Sequence, residues 1–238
     1  MRCLIMHTTN ERWEAGERPG AELIARVGSL MGELSERGLL LDGAGLRASA
    51  LGARLSFSDG QRVITPGPFA GPSAVPARFA IVRTKSLDEA IDWATRVALA
   101  MGDQEVDVRP VTEAWDIGLA PRPPDLTTTR FMLLSKASAA SESGVRRATR
   151  IFEEMTRAGV LLTSETLSPS ARGKRFQFAS GNHTVMDGPF TESKELIAGY
   201  VLIRVASLEE AMEWTARYGE TVESTEVDLR AVEDPERA

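Results

Sequence analysis

The 238-residue sequence has one cysteine, two histidines and no long hydrophobic run. A single cysteine excludes a disulfide framework and a cysteine metal cluster, and two histidines far apart in sequence do not favour a zinc site. No apolar stretch reaches the roughly 18 residues that a membrane helix requires, and the N-terminal residues do not resemble a secretory signal. We therefore expect a cytoplasmic protein with no cofactor, no metal and no membrane contact.

The charge balance also argues against one class of partner. The chain has 28 Lys and Arg residues against 34 Asp and Glu residues, a net charge of −6. Because nucleic-acid binding relies on a clustered basic surface, we expect no direct contact with DNA or RNA. Hydrophobic residues make up 42% of the chain and charged residues 26%, which is typical of a folded globular protein.

A repeat with a constant offset organises the sequence. Gly67-Pro68-Phe69 recurs as Gly188-Pro189-Phe190, an offset of 188 − 67 = 121. The same offset relates Ser86 to Ser207, Trp93 to Trp214, and EVDVRPVTE from Glu105 to EVDLRAVED from Glu226. We interpret this as a tandem duplication, with repeats at residues 1–113 and 130–238 joined by a proline-rich linker at residues 114–129.

Each repeat shows the order strand, helix, strands, helix, strand. Apolar residues at spacings of three and four, beginning at Val145 and ending at Met155, predict one helix, with Gly159 as its C-terminal cap. Ser207 and Glu210 form a capping box before the next helix. This order predicts an α+β fold of two ferredoxin-like repeats, paired within one chain as a pseudo-dimer whose sheets face each other.

One segment carries a family signature. The stretch DGPFTESKELIAGYVLIRVASLEEAMEWTAR, residues 187–217, resembles the DGPF-domain branch of the YCII-related family. The resemblance implies a dimeric α/β-barrel fold but no particular reaction. Some members of the family are similar to small-molecule isomerases, and others are encoded beside extracytoplasmic-function sigma factors.

The two repeats differ in their polar residues. At the 121-residue offset, the second repeat has polar side chains where the first has mostly small or apolar ones. These second-repeat residues are Glu165, His183, Asp187, Glu192, Lys194 and Tyr200, which align with Ala44, Arg62, Pro66, Gly71, Ser73 and Phe79. We therefore predict at most one polar site per chain, in the second repeat.

Asp187 is the candidate catalytic residue, and two interpretations of it remain open. A partly buried carboxylate before the Gly-Pro turn could act as a general base, with Lys194 holding an anionic substrate. An aspartate at this position can equally hydrogen-bond the turn amides in a structural role. His183 shares a strand face with Asp187, but four residues of extended chain span about 13 Å, which does not favour a direct pair.

The sequence therefore leaves two functional hypotheses. In the first, the protein binds a small molecule in a cleft beside the second DGPF turn, where Asp187 performs acid-base chemistry. Glu165, His183, Glu192, Lys194 and Tyr200 would then bind the ligand. In the second, the protein is a non-catalytic regulatory module that works with a sigma factor. In either case, exposed sheet edges predict a homodimer.

Overall fold

The computed structural model describes residues 1–58, 61–69, 73–136, 140–193 and 195–233. Along these residues, α-helices separate runs of one to five strands. The strands are β1 Arg2–Thr8, β2 Leu40–Gly45, β3 Ala53–Ser58, β4 Gln61–Pro66, β5 Ser73–Ala74, β6 Pro76–Thr84, β7 Glu105–Pro110, β8 Thr129–Lys136, β9 Leu161–Thr166, β10 Lys174–Ala179, β11 Asn182–Asp187, β12 Glu192–Ser193, β13 Ile197–Arg204 and β14 Glu226–Ala231. The helices are α1 Glu11–Glu14, α2 Ala21–Glu36, α3 Leu87–Met101, α4 Glu142–Arg157 and α5 Leu208–Val222.

The chain divides into two compact units whose bounds do not follow the predicted repeats. One unit, here called the split unit, combines Met1–Gly45 with Leu167–Ala238. The other, the continuous unit, is Leu46–Thr166. Each unit therefore contains a β-α-β segment from one repeat and the remaining elements from the other. The repeat bounds 1–113 and 130–238 and the linker at residues 114–129 stay predictions.

The split unit contains a six-stranded sheet with the order β11-β10-β14-β1-β13-β2. Neighbouring strands in this sheet pair antiparallel. Helices α2 and α5 contribute Leu34, Trp214 and Tyr218 to a core that packs against strand residues such as Ile5 and Val227. Burial of these apolar side chains drives the helices onto one face of the sheet.

The continuous unit repeats this arrangement with the sheet order β4-β3-β7-β8-β6-β9, again antiparallel. Helices α3 and α4 supply Ala94, Val97 and Met155 to its core. In the described residues each sheet is open, with two outer strands. The fold is therefore α+β, as predicted, without a closed barrel.

Element bounds recur at the offset seen in the sequence. Helices α3 and α5, strands β3 and β10, and strands β7 and β14 each begin and end 121 residues apart. The predicted helix after Ser141 is α4, where Ala148 and Met155 are buried as expected, although Val145 is 46% exposed. No helix formed by the described residues is long and apolar enough to cross a membrane.

Serine caps begin the two equivalent helices. The Ser86 hydroxyl accepts a hydrogen bond from the Glu89 amide, and the Ser207 hydroxyl accepts one from the Glu210 amide at 3.2 Å. In α5 the Glu210 carboxylate reaches back as predicted, but it accepts from the amide of Ala206, the residue before the cap, at 2.8 Å and not from that of Ser207 as in a standard capping box.

We expect Ser207→Ala to lower the free energy of unfolding by about 1 kcal/mol, because the first turn of α5 loses its side-chain acceptor. Ser207→Asp is the matched control, since its carboxylate can accept the same hydrogen bond. Urea unfolding followed by circular dichroism measures both variants. An unchanged midpoint in Ser207→Ala would show that the cap does not stabilise the helix.

Candidate functional site at the GPF turns

The second GPF turn, residues 188–190, follows a tight hairpin. Strands β10 and β11 pair from Ala179 and Asn182 outward, and Ser180 and Gly181 between them both have positive φ, as a type I′ turn requires. Strand β11 ends at Asp187, and the Gly188–Pro189 peptide bond is cis.

Close backbone contact explains the glycine of this turn. A Cβ on Gly188 would lie 1.8 Å from the Ser170 carbonyl oxygen, so no larger residue fits without a backbone shift. The Ser170 hydroxyl accepts from the Phe190 amide at 3.2 Å and donates to the Phe190 carbonyl at 2.8 Å. The turn is therefore fixed against the short helical segment Ser170–Arg172.

An arginine joins the turn to the sheet. Arg175 donates to both carboxylate oxygens of Asp228 at 2.7 and 2.8 Å, and its guanidinium carbon lies 4.5 Å from the centre of the Phe190 ring. Arg175 also donates to the Glu192 carbonyl at 3.0 Å. Burial alone would lower the pKa of Arg175, but the hydrogen bonds and charge of Asp228 outweigh it and raise that pKa. We call Arg175, Asp228 and Phe190 the second turn frame.

The first GPF turn, residues 67–69, has an equivalent frame of Arg54, Asp107 and Phe69. Arg54 donates to both Asp107 oxygens at 2.6 and 2.9 Å, and it lies 4.8 Å from the Phe69 ring centre. A Cβ on Gly67 would lie 1.9 Å from the Ser49 carbonyl oxygen. All three frame residues are 121 positions before their counterparts, so both units use the same construction.

The first frame also contains a lysine. Lys136 Nζ lies 3.0 Å from Asp107 Oδ2 and donates to the Ser73 hydroxyl at 2.5 Å. Burial by itself would raise the pKa of Asp107, but Arg54 and Lys136 together hold it below its ordinary value. The continuous unit therefore buries a carboxylate between two cations.

The predicted catalytic residue lies outside this buried network. The Asp187 side chain is 78% exposed and forms an ion pair with Lys174, its cross-strand partner in the β10–β11 hairpin. The prediction of a partly buried carboxylate at Asp187 is therefore wrong, and Lys174 is a partner that was not predicted. In the first repeat the corresponding residues are Pro66 and Ala53, so this exposed pair occurs only beside the second turn.

The other predicted site residues contact different parts of the fold. His183 lies at the opposite end of β11 from Asp187, with Nδ1 3.7 Å from the Glu220 carboxylate on α5. The Tyr200 side chain is buried, and its hydroxyl donates to Asp42 at 2.7 Å. The Glu192 side chain is exposed at β12.

The structure does not place the last two predicted residues, Glu165 and Lys194, beside Asp187. Glu165 lies on β9 of the continuous unit, opposite Phe79 in the sheet register, whereas Asp187 belongs to the split unit. Lys194 lies outside the described residues. Among the residues that are described, no group of three or more His, Cys, Asp or Glu side chains is arranged to hold a metal ion.

Comparison with known proteins identifies one segment of the chain. Residues 129–230 match the family model of the YCII-related domain. We refer to residues 129–230 as the YCII-related domain on the basis of this match. The YCII-related domain contributes β8, α4 and β9 to the continuous unit and its remaining elements to the split unit.

A curated relative supports a more limited comparison. An uncharacterized protein of Rhizobium meliloti (strain 1021) is 34% identical over 73 residues, which are 31% of this chain and 59% of that protein. The chain therefore spans less than two thirds of the length of this relative. No solved structure gives a significant match.

We expect Asp107→Asn to lower the free energy of unfolding by about 3–5 kcal/mol, because it removes the carboxylate charge that compensates the buried Lys136 and the partly buried Arg54. Asp187→Asn, in an exposed ion pair of the YCII-related domain, should cost at most about 1 kcal/mol. Urea unfolding measures the free energy of unfolding of both variants. An equal decrease in the two would contradict the finding that Asp107 is buried and Asp187 is exposed.

The same network predicts a dependence on pH. Since the folded-state pKa of Asp107 lies below the ordinary value of 3.8, its contribution is complete above that value. The contribution is lost as the pH falls from 3.8 toward the lowered pKa. The difference in stability between wild type and Asp107→Asn should therefore shrink over this acidic range, and a constant difference would contradict the argument.

Gly188→Ala in the YCII-related domain should destabilise the protein by more than 1 kcal/mol, because its Cβ overlaps a backbone carbonyl that cannot move independently. Gly28→Ala is the control, since a Cβ there has open space within α2 and alanine favours a helix by about 0.5–1 kcal/mol. Thermal unfolding should give opposite shifts for the two variants. A neutral Gly188→Ala would exclude the tight contact with Ser170.

Proposed function

We propose that this protein binds a small molecule beside the second GPF turn of its YCII-related domain, with Asp187 as the acid-base group. The observation that carries the proposal is the difference between the two turns. Both turns have the buried frame of arginine, aspartate and phenylalanine, but the exposed Asp187–Lys174 pair accompanies only the second. A purely structural turn does not need this pair, because the first turn is built without it.

The geometry suits recognition of a polar ligand. Asp187 is exposed, so a ligand can reach its carboxylate, and the Lys174 ammonium beside it can pair with an anionic group of the ligand. Glu192 is exposed on β12, and its backbone carbonyl accepts a hydrogen bond from Arg175 at 3.0 Å. A ligand that covers the pair would remove water from Asp187 and favour proton transfer to or from its carboxylate.

The remaining predicted residues enter as part of the same proposal. His183, Tyr200 and Lys194 are proposed ligand-binding residues on the strength of their difference from the first predicted repeat, and Glu165 is proposed on the same ground as a ligand-binding residue of the continuous unit by itself. We also propose ferredoxin-like units that form a pseudo-dimer of the dimeric α/β-barrel type. The support is that each unit combines a β-α-β segment with a hairpin followed by a second β-α-β segment.

Thermal-shift measurements with small carboxylate, phosphate and aromatic metabolites test the binding site. A compound that binds the native state raises the melting temperature by mass action. We expect at least one compound to stabilise wild type but not Asp187→Asn or Lys174→Met. Glu142→Gln is the matched control, because Glu142 also forms an exposed ion pair, on α4 with Arg146.

Equal stabilisation of all four proteins would place the binding site elsewhere. If no compound stabilises wild type, the small-molecule proposal fails, and the regulatory alternative is then examined by co-purification with a sigma factor. Neither the small-molecule ligand nor the homodimer depends on the other, so size-exclusion chromatography tests the homodimer separately.

A further inference from the structure

A histidine and a tyrosine are paired inside the core of the split unit. His7 on β1 and Tyr218 on α5 are 7% and 4% exposed, and the Tyr218 hydroxyl lies 2.8 Å from His7 Nδ1. Burial lowers the pKa of His7 to about 4 and raises the pKa of Tyr218. Both groups are therefore neutral at pH 7.

The sheet is shaped to accept the imidazole ring. A Cβ on Gly199, the β13 partner of His7, would lie only 2.5 Å from the ring carbon Cε1. The continuous unit has Ser135, Val97 and Arg78 at the positions of His7, Tyr218 and Gly199, as the pairing register and the 121-residue offset show. These three residues line a small cavity of about 10 Å³, close to the space of one water molecule.

A short turn at residues 10–17 covers the histidine. Trp13 on α1 meets the His7 ring edge-on, with ring centres 5.7 Å apart. The turn is closed by local contacts, including a hydrogen bond from the Trp13 amide to the Asn10 side chain at 3.0 Å and the Arg12–Glu17 ion pair at 2.8 Å. No residue of α1 is buried, which is typical of an element that opens at low cost.

We propose that residues 10–17 form an acid-operated lid, which closes over the neutral His7–Tyr218 pair and opens when His7 binds a proton. When the lid is open, water reaches the ring and a proton from solvent can bind the ring nitrogen that carries no hydrogen. The resulting imidazolium is not readily buried again, because the residues that face it from the sheet and from α5, which are Gly199, Val227 and Tyr218, carry no charge. Protonation therefore favours the open state.

The sign of the effect follows from the buried environment. With a closed-state pKa near 4 and an ordinary value of 6.5, the open state binds more protons between these two values. The ratio of open to closed molecules should rise tenfold for each pH unit as the pH falls, or roughly 300-fold across this range.

Other groups around His7 have to be separated from it. Gly199 of β13 and Val227 of β14 face it in the sheet register without charge, and α5 contributes Tyr218. The lid itself carries the charged residues Glu11, Arg12, Glu14 and Glu17, which add electrostatic interactions of their own. A variant that retains the lid but lacks the histidine distinguishes these contributions.

Hydrogen exchange of the lid amides tests the proposal on the full-length protein. The Glu14, Ala15 and Glu17 amides donate within the turn, so their protection reports opening. After correction for the intrinsic rate, we expect their protection in wild type to fall by up to about 300-fold between pH 6.5 and 4. In His7→Ser, which introduces the residue of the continuous unit, protection should change little over the same range.

A second measurement does not depend on that variant. In His183→Gln only one histidine remains, so NMR titration reports the pKa of His7 directly. A value near the ordinary 6.5, a flat protection profile in wild type, or the same fall in His7→Ser would each overturn the proposal. Loss of protection that occurs simultaneously in core amides of β13 would also overturn it, because the transition would then be global unfolding.

Discussion

A buried arginine–aspartate pair under each GPF turn is the contact on which the arrangement of the turns depends. Two parallel hydrogen bonds join the guanidinium to the carboxylate, and the turn phenylalanine covers the guanidinium face. Removing both charges from water is costly, so the pair stabilises only when its geometry is nearly ideal. It therefore acts mainly as a constraint that fixes β10 against β14 and places the turn above them.

The residues around this common construction differ between the units, and those differences are where function is expected. At the second turn, Asp187 and Lys174 add an exposed pair of opposite charges. At the first turn, Lys136 adds a buried cation to the carboxylate of Asp107. The additional charges are thus exposed to solvent at the second turn and buried at the first, although the backbone of the two turns is built in the same way.

Much of the architecture could be predicted, because short-range patterns determine it. The 121-residue offset, the serine caps and the apolar spacing of α4 predicted the element order and the α+β class. The Lys174–Asp187 pair could also have been predicted, because strand pairing outward from the turn at Ser180 and Gly181 brings these two residues opposite each other. Lys174 has no special position along the chain, and it becomes a partner of Asp187 only across the β10–β11 hairpin.

Other features could not be predicted because they depend on long-range register. Arg175 and Asp228 are 53 residues apart and meet only because β10 and β14 are neighbours. Lys136 on β8 pairs with Pro76, and Thr8 on β1 pairs with Ile197, so Lys136 and Thr8 occupy equivalent positions in the two sheets. The 121-residue offset does not relate Lys136 to Thr8, and so it could not show this equivalence. The division into a split and a continuous unit could not be predicted for a related reason. Hydrophobic periodicity does not show which sheet receives the β-α-β segment of each predicted repeat.

The division into a split and a continuous unit has a consequence for synthesis on the ribosome. All of the chain that builds the continuous unit, Leu46–Thr166, has been translated before residue 167 is added. The first 45 residues have no such option, because the strands that flank β1 belong to the last third of the chain. The N-terminal segment must therefore wait, with its apolar strand unpaired, while more than 150 further residues are made. β1 can therefore take its place in the sheet only after β13 and β14 have been made.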